Sequence, residues 1–174
     1  MHYQNKRRLK YDGKSLVILK ENGLVEKVIF QSKSSRLIGN FSPEEEVDKE
    51  VRALELLADI EGVQRFVSRE SGNSLTSQYI EATPLRRYKA RLSKQYFDEL
   101  LQIIKRCEER GVYRVDFDRS SVLVTKETKS ALIDFAYAIF NDDPIAQIPF
   151  VLWLAKMYSR LRVYDLRRRY ALRD

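Results

Sequence analysis

The sequence predicts a small α+β fold, with antiparallel strands first and helices dominating the second half, and three observations carry that reading. Asn22-Gly23 stands between two apolar runs, Ser15–Lys20 and Leu24–Phe30, which is a strong hairpin signal. Ser42-Pro43-Glu44-Glu45 opens a stripe of apolar residues at helical spacing. Farther on, Ser121–Thr125 and Ser130–Asp134 flank a polar turn and read as a second hairpin.

Each element follows from local chemistry. In the first helix Ser42 is the N-cap, Pro43 takes the first position, and Glu45 closes a capping box. Val47, Val51, Leu54, Leu57 and Ala58 form its buried stripe. At about 100° per residue Glu50 falls inside that arc, between Leu57 and Leu54. A carboxylate there needs a cation, and the preceding strand offers Lys27. Past Gly62, strands are expected near Gln64–Ser68 and Leu75–Ile80, followed by a connector, Glu81–Leu85. A second helix is expected from about Ser93 to Arg110, with Phe97, Leu100, Leu101 and Ile104 on one face and Gly111 as its stop. In the second hairpin, Val124 opposite Ala131 would set Ser121 opposite Asp134. Asp116, in the loop just before, would then lie near the same end, and two close carboxylates call for a cation. The segment from Asp142 reads as one or two helices whose buried side is Phe150, Leu152, Trp153, Leu154, Met157 and Leu161.

Composition limits the function classes. The chain has 174 residues, 44% hydrophobic and 33% charged, which suits one compact domain or two small lobes around a cleft. One cysteine, Cys107, permits no intramolecular disulfide and fits a reducing, cytoplasmic setting. It reads as a packing residue, and with a single histidine, His2, a zinc-type site lacks ligands. The polar first residues do not read as a secretory signal, and the longest apolar run, near Ile148–Ala155, is too short to span a bilayer. The net charge is +7, with Arg160, Arg162, Arg167, Arg168, Arg169 and Arg173 clustered late. That cluster suits an anionic partner, whether nucleic acid, a phosphorylated glycolipid or an acidic membrane surface, or else forms a solvated helix face. No nucleic-acid-binding motif accompanies it, so specific nucleic-acid recognition is not expected.

The order of parts resembles the protein-kinase-like superfamily. Gly111–Val124 is similar to the kinase catalytic loop H-x-D-x-x-x-x-N-(I/V)-L-(V/L), and Leu132-Ile133-Asp134-Phe135-Ala136 to the D-F-G segment. Glu50–Leu57 resembles the glutamate-bearing helix, and Tyr79–Leu85 the hinge of the small bacterial branch. Within the superfamily the chain looks most like the lipopolysaccharide core kinases that phosphorylate heptose or Kdo sugars, with RIO-type kinases as a second relative. The resemblance implies a minimal bilobal fold: residues of about 1–80 as an N-lobe, 81–85 as the hinge, and 86–174 as a reduced helical C-lobe. It also implies ATP and Mg²⁺ as cofactors. Asp116 would accept the proton of the substrate hydroxyl, and Asp134 would bind Mg²⁺. Lys27, or alternatively Lys33, would hold the phosphates and pair with Glu50. Glu81, Ala82 and Thr83 would border the adenine through backbone groups.

Departures from the pattern are specific. Ser121 replaces the metal-binding asparagine, Arg114 the loop histidine and Ala136 the D-F-G glycine. Tyr11-Asp12-Gly13-Lys14 offers one glycine where a Gly-rich loop would be, and no A-P-E segment follows. Two functions are therefore expected to compete. One is an active phosphotransferase acting on a sugar hydroxyl of a glycolipid or another small acceptor, peripheral at the anionic inner membrane through its Arg-rich C-terminus. The other is a kinase-like pseudoenzyme used as a binding or regulatory module.

Overall fold

The computed structural model describes residues 7–31, 41–114 and 117–172, with Arg114 described by its backbone alone. Lys33 and Asp116 lie outside the described residues.

The first half is a five-stranded antiparallel sheet in the order β1-β2-β3-β5-β4. Its strands are β1 (Arg7–Tyr11), β2 (Ser15–Leu19), β3 (Leu24–Ile29), β4 (Phe66–Ser71) and β5 (Ser74–Gln78). The β2–β3 turn closes where expected, with Gly23 in the left-handed region (φ 71°) and its N–H donating to the Lys20 carbonyl at 3.2 Å. Val25 and Ile29 alternate inward along β3, and the period of two puts Lys27 on the same face. Lys27 thus stands in the central strand, opposite Val17 on β2 and Leu75 on β5.

Helix α1 (Pro43–Leu56) packs against this sheet and starts as the sequence predicts. The Ser42 hydroxyl accepts from Glu45 N–H at 3.2 Å, and the Glu45 carboxylate accepts from Ser42 N–H at 2.7 Å. Val47, Glu50, Ala53 and Leu54 are buried along α1; Ala58 falls past its end and is exposed. The chain then crosses through Gly62, whose N-terminal half of the fold is tied to the C-terminal half there: Leu132 N–H donates to the Gly62 carbonyl at 2.7 Å. A side chain at Gly62 would meet Ile103 Cδ1 at 2.6 Å and the Ser130 carbonyl at 3.0 Å, and φ is +88°. Only glycine fits that approach.

Part of the expected connector is a strand, β6 (Ala82–Pro84), which pairs with β8 (Val122–Thr125). Helix α2 (Lys94–Glu109) ends at Gly111 as expected and buries Cys107. Strand β7 (Val112–Arg114) pairs with β10 (Ala138–Phe140), and β8 with β9 (Ser130–Leu132). One apolar cluster runs from Ile29 and Val47 through α2 to Val163 and Leu166, so both halves share a core.

Two expectations are corrected. The hairpin register is shifted by one: Leu123 faces Ala131 and Val124 faces Ser130, which leaves Ser121 beside Ile133, not Asp134. The cause is the turn. Lys129 pairs with Thr125 instead of belonging to the loop, and Thr128 takes the left-handed position (φ 61°) of a three-residue hairpin loop. The last helix, α3 (Pro149–Tyr170), is apolar at helical spacing, but of its expected buried side Leu152 packs on the body and Met157 is half-buried, while the other four residues are exposed. Ala155, Ser159, Val163 and Leu166 face the body, whereas Phe150, Trp153, Leu154 and Leu161 are exposed. α3 carries two apolar arcs, and periodicity does not say which one the body covers.

Candidate active site

The central feature is a lysine between two carboxylates. Lys27 Nζ lies 2.6 Å from Glu50 Oε2 and 3.0 Å from Asp134 Oδ1. The Glu50 side chain is 2% exposed, Lys27 15% and Asp134 42%, so the trio grades from a dry anchor to a solvent-facing acid. Burial alone would lower the Lys27 ammonium, but the Asp134 and Glu50 charges outweigh it and hold the group above the ordinary lysine range. Burial pushes the Glu50 carboxyl up, Asp134 and Glu46 act in the same direction, and Lys27 opposes them.

Backbone geometry sets Asp134. Its φ is 68°, a left-handed conformation uncommon for a non-glycine residue and characteristic of functional positions. Around it Phe135 and Ala136 are fully packed at 1% and 0% exposure, so the D-F-A segment is anchored by core on its C-terminal side. Ser121 is buried; its hydroxyl donates to the Asp118 carbonyl at 2.8 Å, and its carbonyl accepts from Ile133 N–H at 3.0 Å. Ser121 thereby links residues 118–121 to the residue before Asp134. Burial opposes ionisation of Asp118, but the Ser120 hydroxyl and nearby backbone N–H groups hold its carboxyl below the usual range. Asp116 sits between β7 and the buried Phe117, outside the described residues.

Several contributors escaped sequence reasoning. Lys10 and Lys14, beside the β1–β2 turn, line a small cavity with Lys27, Asp134 and Tyr137. Lys10 pairs with Val17, and Val17 with Lys27, so Lys10 and Lys27 share one face of the sheet about 10 Å apart. The turn itself is organised by Asp12, whose carboxylate accepts from Lys14 N–H at 3.1 Å and Ser15 N–H at 2.8 Å, with Gly13 at φ 78°. This Asx turn occupies the place a Gly-rich loop would take. Lys10 and Lys27 stand on strands that both pair with β2 and Lys14 lies in the turn, so it is the strand pairing that brings the three to one cavity.

A second group fixes α1. Arg52 Nη2 donates to both Asp142 oxygens at 2.5 and 2.7 Å, and its guanidinium lies 4.1 Å from the Phe140 ring centroid. Lys49 donates to the Ala138 carbonyl at 3.4 Å and lies 3.6 Å from Asp143. The Tyr137 hydroxyl donates to Glu46 at 3.4 Å. The helix that carries Glu50 is therefore clasped to the segment that follows Asp134.

Glu81 and Thr83 are not gathered into this trio. The Glu81 carboxylate pairs with Lys126 at 2.7 Å on the surface, and Thr83 stands opposite Val124 in the β6–β8 ladder. A larger cavity, about 730 Å³, is lined by Gly62, Tyr79, Ile80, Gln102, Thr125 and Ser130 among others and by none of Lys27, Glu50 and Asp134. Among the described residues, no cluster of three or more His, Cys, Asp or Glu is arranged to hold a metal ion.

No protein-family model matches the chain, and no curated protein matches it in sequence. Solved structures do. The Rio2 kinase of Chaetomium thermophilum, in an ADP/Mg²⁺-phosphoaspartate complex, matches with a TM-score of 0.66 at 16% identity, over 97% of this chain and 57% of that one. Another crystal structure of the Rio2 kinase from the same organism gives 0.60 at 17% identity, over 92% and 61%. This chain thus spans 57% to 61% of the length of the kinase chains it matches. At this identity the likeness concerns architecture, and with the strand order and element sequence above it leads to one conclusion: the chain has a protein-kinase-like α+β fold.

Proposed function

We propose that this protein is an ATP- and Mg²⁺-dependent phosphotransferase whose nucleotide lies between an N-lobe of about residues 1–80 and a C-lobe of residues 86–174, joined by a hinge at 81–85. The observation that carries the reading is Lys27 held between Glu50 and Asp134 at 2.6 and 3.0 Å. The residues present fit the cofactor. Lys10, Lys14 and Lys27 line one small cavity with Asp134 and would meet a polyphosphate there, with Lys10 held by Asp12 at 3.1 Å, and the half-exposed Asp134 carboxylate would be the residue to take a cation.

ATP supplies the phosphoryl group, and Mg²⁺ neutralises the charge that develops as it moves. Glu50, dry and fixed on α1, holds Lys27, which would meet the α and β phosphates when ATP is bound. Asp134 would supply the carboxylate that holds Mg²⁺, with Ser121 as the second metal-side residue. Asp116 orients the acceptor hydroxyl and takes its proton. The backbone at Glu81 and Thr83 borders the adenine. The acceptor is a sugar hydroxyl of a glycolipid, as in lipopolysaccharide core kinases, or another small alcohol. In support, Phe135–Asp143 runs directly into the turn Pro144–Gln147 and leaves no long segment to form a peptide platform. Part of this reading is a cytoplasmic protein in peripheral contact with an anionic membrane through its Arg-rich C-terminal segment.

A pseudoenzyme reading is favoured by one observation: the buried Ser121 hydroxyl donates its proton within its own turn, to the Asp118 carbonyl. Calorimetry separates the two. Mg²⁺-dependent ATP binding that weakens in Asp134→Asn, with phosphoryl transfer abolished in Asp116→Ala while ATP still binds, is the expected result. Binding that ignores Mg²⁺ would favour the pseudoenzyme, and full transfer by Asp116→Ala would sink the assignment of the base.

A further inference from the structure

We infer that the outward face of α3 is a docking surface for an anionic lipid bilayer, entered by apolar side chains and not merely approached by arginines. The inference deepens the membrane part of the function proposed above and rests on it. Phe150, Trp153, Leu154, Met157, Tyr158, Leu161 and Tyr164 recur at helical spacing, and at about 100° per residue they span an arc of about 140°. Apart from the half-buried Met157 this arc is exposed: Phe150 62%, Trp153 54%, Leu161 59% and Tyr164 69%. Phe150 and Trp153 stack at 5.8 Å, so the aromatic end is already ordered. An exposed contiguous patch of this kind marks an interaction site.

The charges name the occupant. α3 contains six basic residues, Lys156, Arg160, Arg162, Arg167, Arg168 and Arg169, against one acid, Asp165. That acid is neutralised by Arg169 at 2.9 Å and Arg162 at 3.8 Å, and Arg160 and Arg167 pair with Glu108 and Asp98 of α2, each at 3.6 Å, so the helix and its ion-pair partners still carry a basic excess. Lys156, Arg160 and Arg167 border the apolar arc on one side and Arg169 on the other, with Arg168 inside it near the C-terminal end. Tryptophan and tyrosine rings settle at the headgroup level of a bilayer, and arginines flanking them meet the lipid phosphates.

Arg162 donates to the Phe117 carbonyl at 3.2 Å, one residue past Asp116, and Arg119 reaches the Tyr170 hydroxyl at 3.3 Å. α3 therefore touches residues 117–119 through side chains outside its apolar arc, so docking the arc leaves these contacts in place.

Trp153 is the only tryptophan, so its emission reports this face directly. The full chain is titrated with phosphatidylcholine vesicles containing phosphatidylglycerol, and with pure phosphatidylcholine vesicles. The expected result is a blue shift of Trp153 emission and co-sedimentation with the anionic vesicles only. A Phe150→Ser/Leu154→Ser/Leu161→Ser variant should bind them about tenfold more weakly or worse, with unchanged circular dichroism and ATP binding. Co-sedimentation with unshifted emission means a purely electrostatic contact, which overturns the inference and leaves peripheral membrane contact standing. Absence of co-sedimentation overturns both, while the nucleotide-site reading is tested separately by ATP-binding calorimetry. A blue shift without vesicles, together with a doubled mass by light scattering, gives the face to a second copy and also overturns the inference.

Discussion

Lys27 is fixed by two constraints of different origin. Strand alternation points it inward, and the buried Glu50 demands a cation. Removing only the lysine should leave Glu50 as a buried uncompensated charge, so Lys27→Met is expected to cost about 3–5 kcal/mol. Lys27→Met/Glu50→Leu should recover most of that in urea unfolding, because an apolar pair of similar volume needs no compensation. Both proteins should lose ATP binding, which separates the lysine's stabilising role from its functional one. The pair also sets a pH signature. The folded-state value of Lys27 lies above its unfolded value, so its contribution is fully present below about pH 10.4 and is lost as pH rises through the folded value. Unfolding measured at rising alkaline pH should show that loss in wild type and not in the double variant. The Lys27–Glu50 pairing was legible because helix and strand periodicities are local rules. The Lys27–Asp134 contact was not, since it joins residues 107 positions apart across two halves of the fold.

At the scale of elements, the capping box of α1, the Gly23 turn and the Gly111 stop all form where the local signals place them. The hairpin register and the inward face of α3 do not, for related reasons. A turn one residue shorter shifts every cross-strand partner, and a helix with two apolar arcs is ambiguous until something packs on it. The α3 orientation is open to a direct check. Ala155→Phe, on the buried small-residue face beside Tyr113 and Ile139, should overpack and cost about 1–3 kcal/mol. Phe150→Ser should change stability by less than about 0.5 kcal/mol. Thermal unfolding with the opposite ranking would mean that the aromatic face is the packed one. The clasp of Arg52 and Lys49 on Asp142, Asp143 and Ala138 likewise belongs to this scale: it joins α1 to the segment after Asp134.

For the whole molecule, the shared core and the cleft-side charges make ligand binding and stability one measurement. If ATP and Mg²⁺ occupy the Lys27 site, saturation at a hundred times Kd should add about 2.7 kcal/mol. For a chain of this size that raises Tm by roughly 5–10 °C. Differential scanning with ATP, with Mg²⁺ and with both should show the full shift only for the pair, and none in Lys27→Met. The sequence by itself determined the α+β class, the helix and turn boundaries that glycine, proline and capping residues enforce, and the need of Glu50 for a cation, because each follows from interactions within a few residues or from a simple period. Tertiary structure alone decided that Asp134 completes the lysine's environment, that Lys10 and Lys14 stand over it, and that α3 turns its aromatic face to solvent. These depend on strand order, on a one-residue register and on which of two similar surfaces finds a partner, and such choices are made by the packed whole and not by any local stretch of chain.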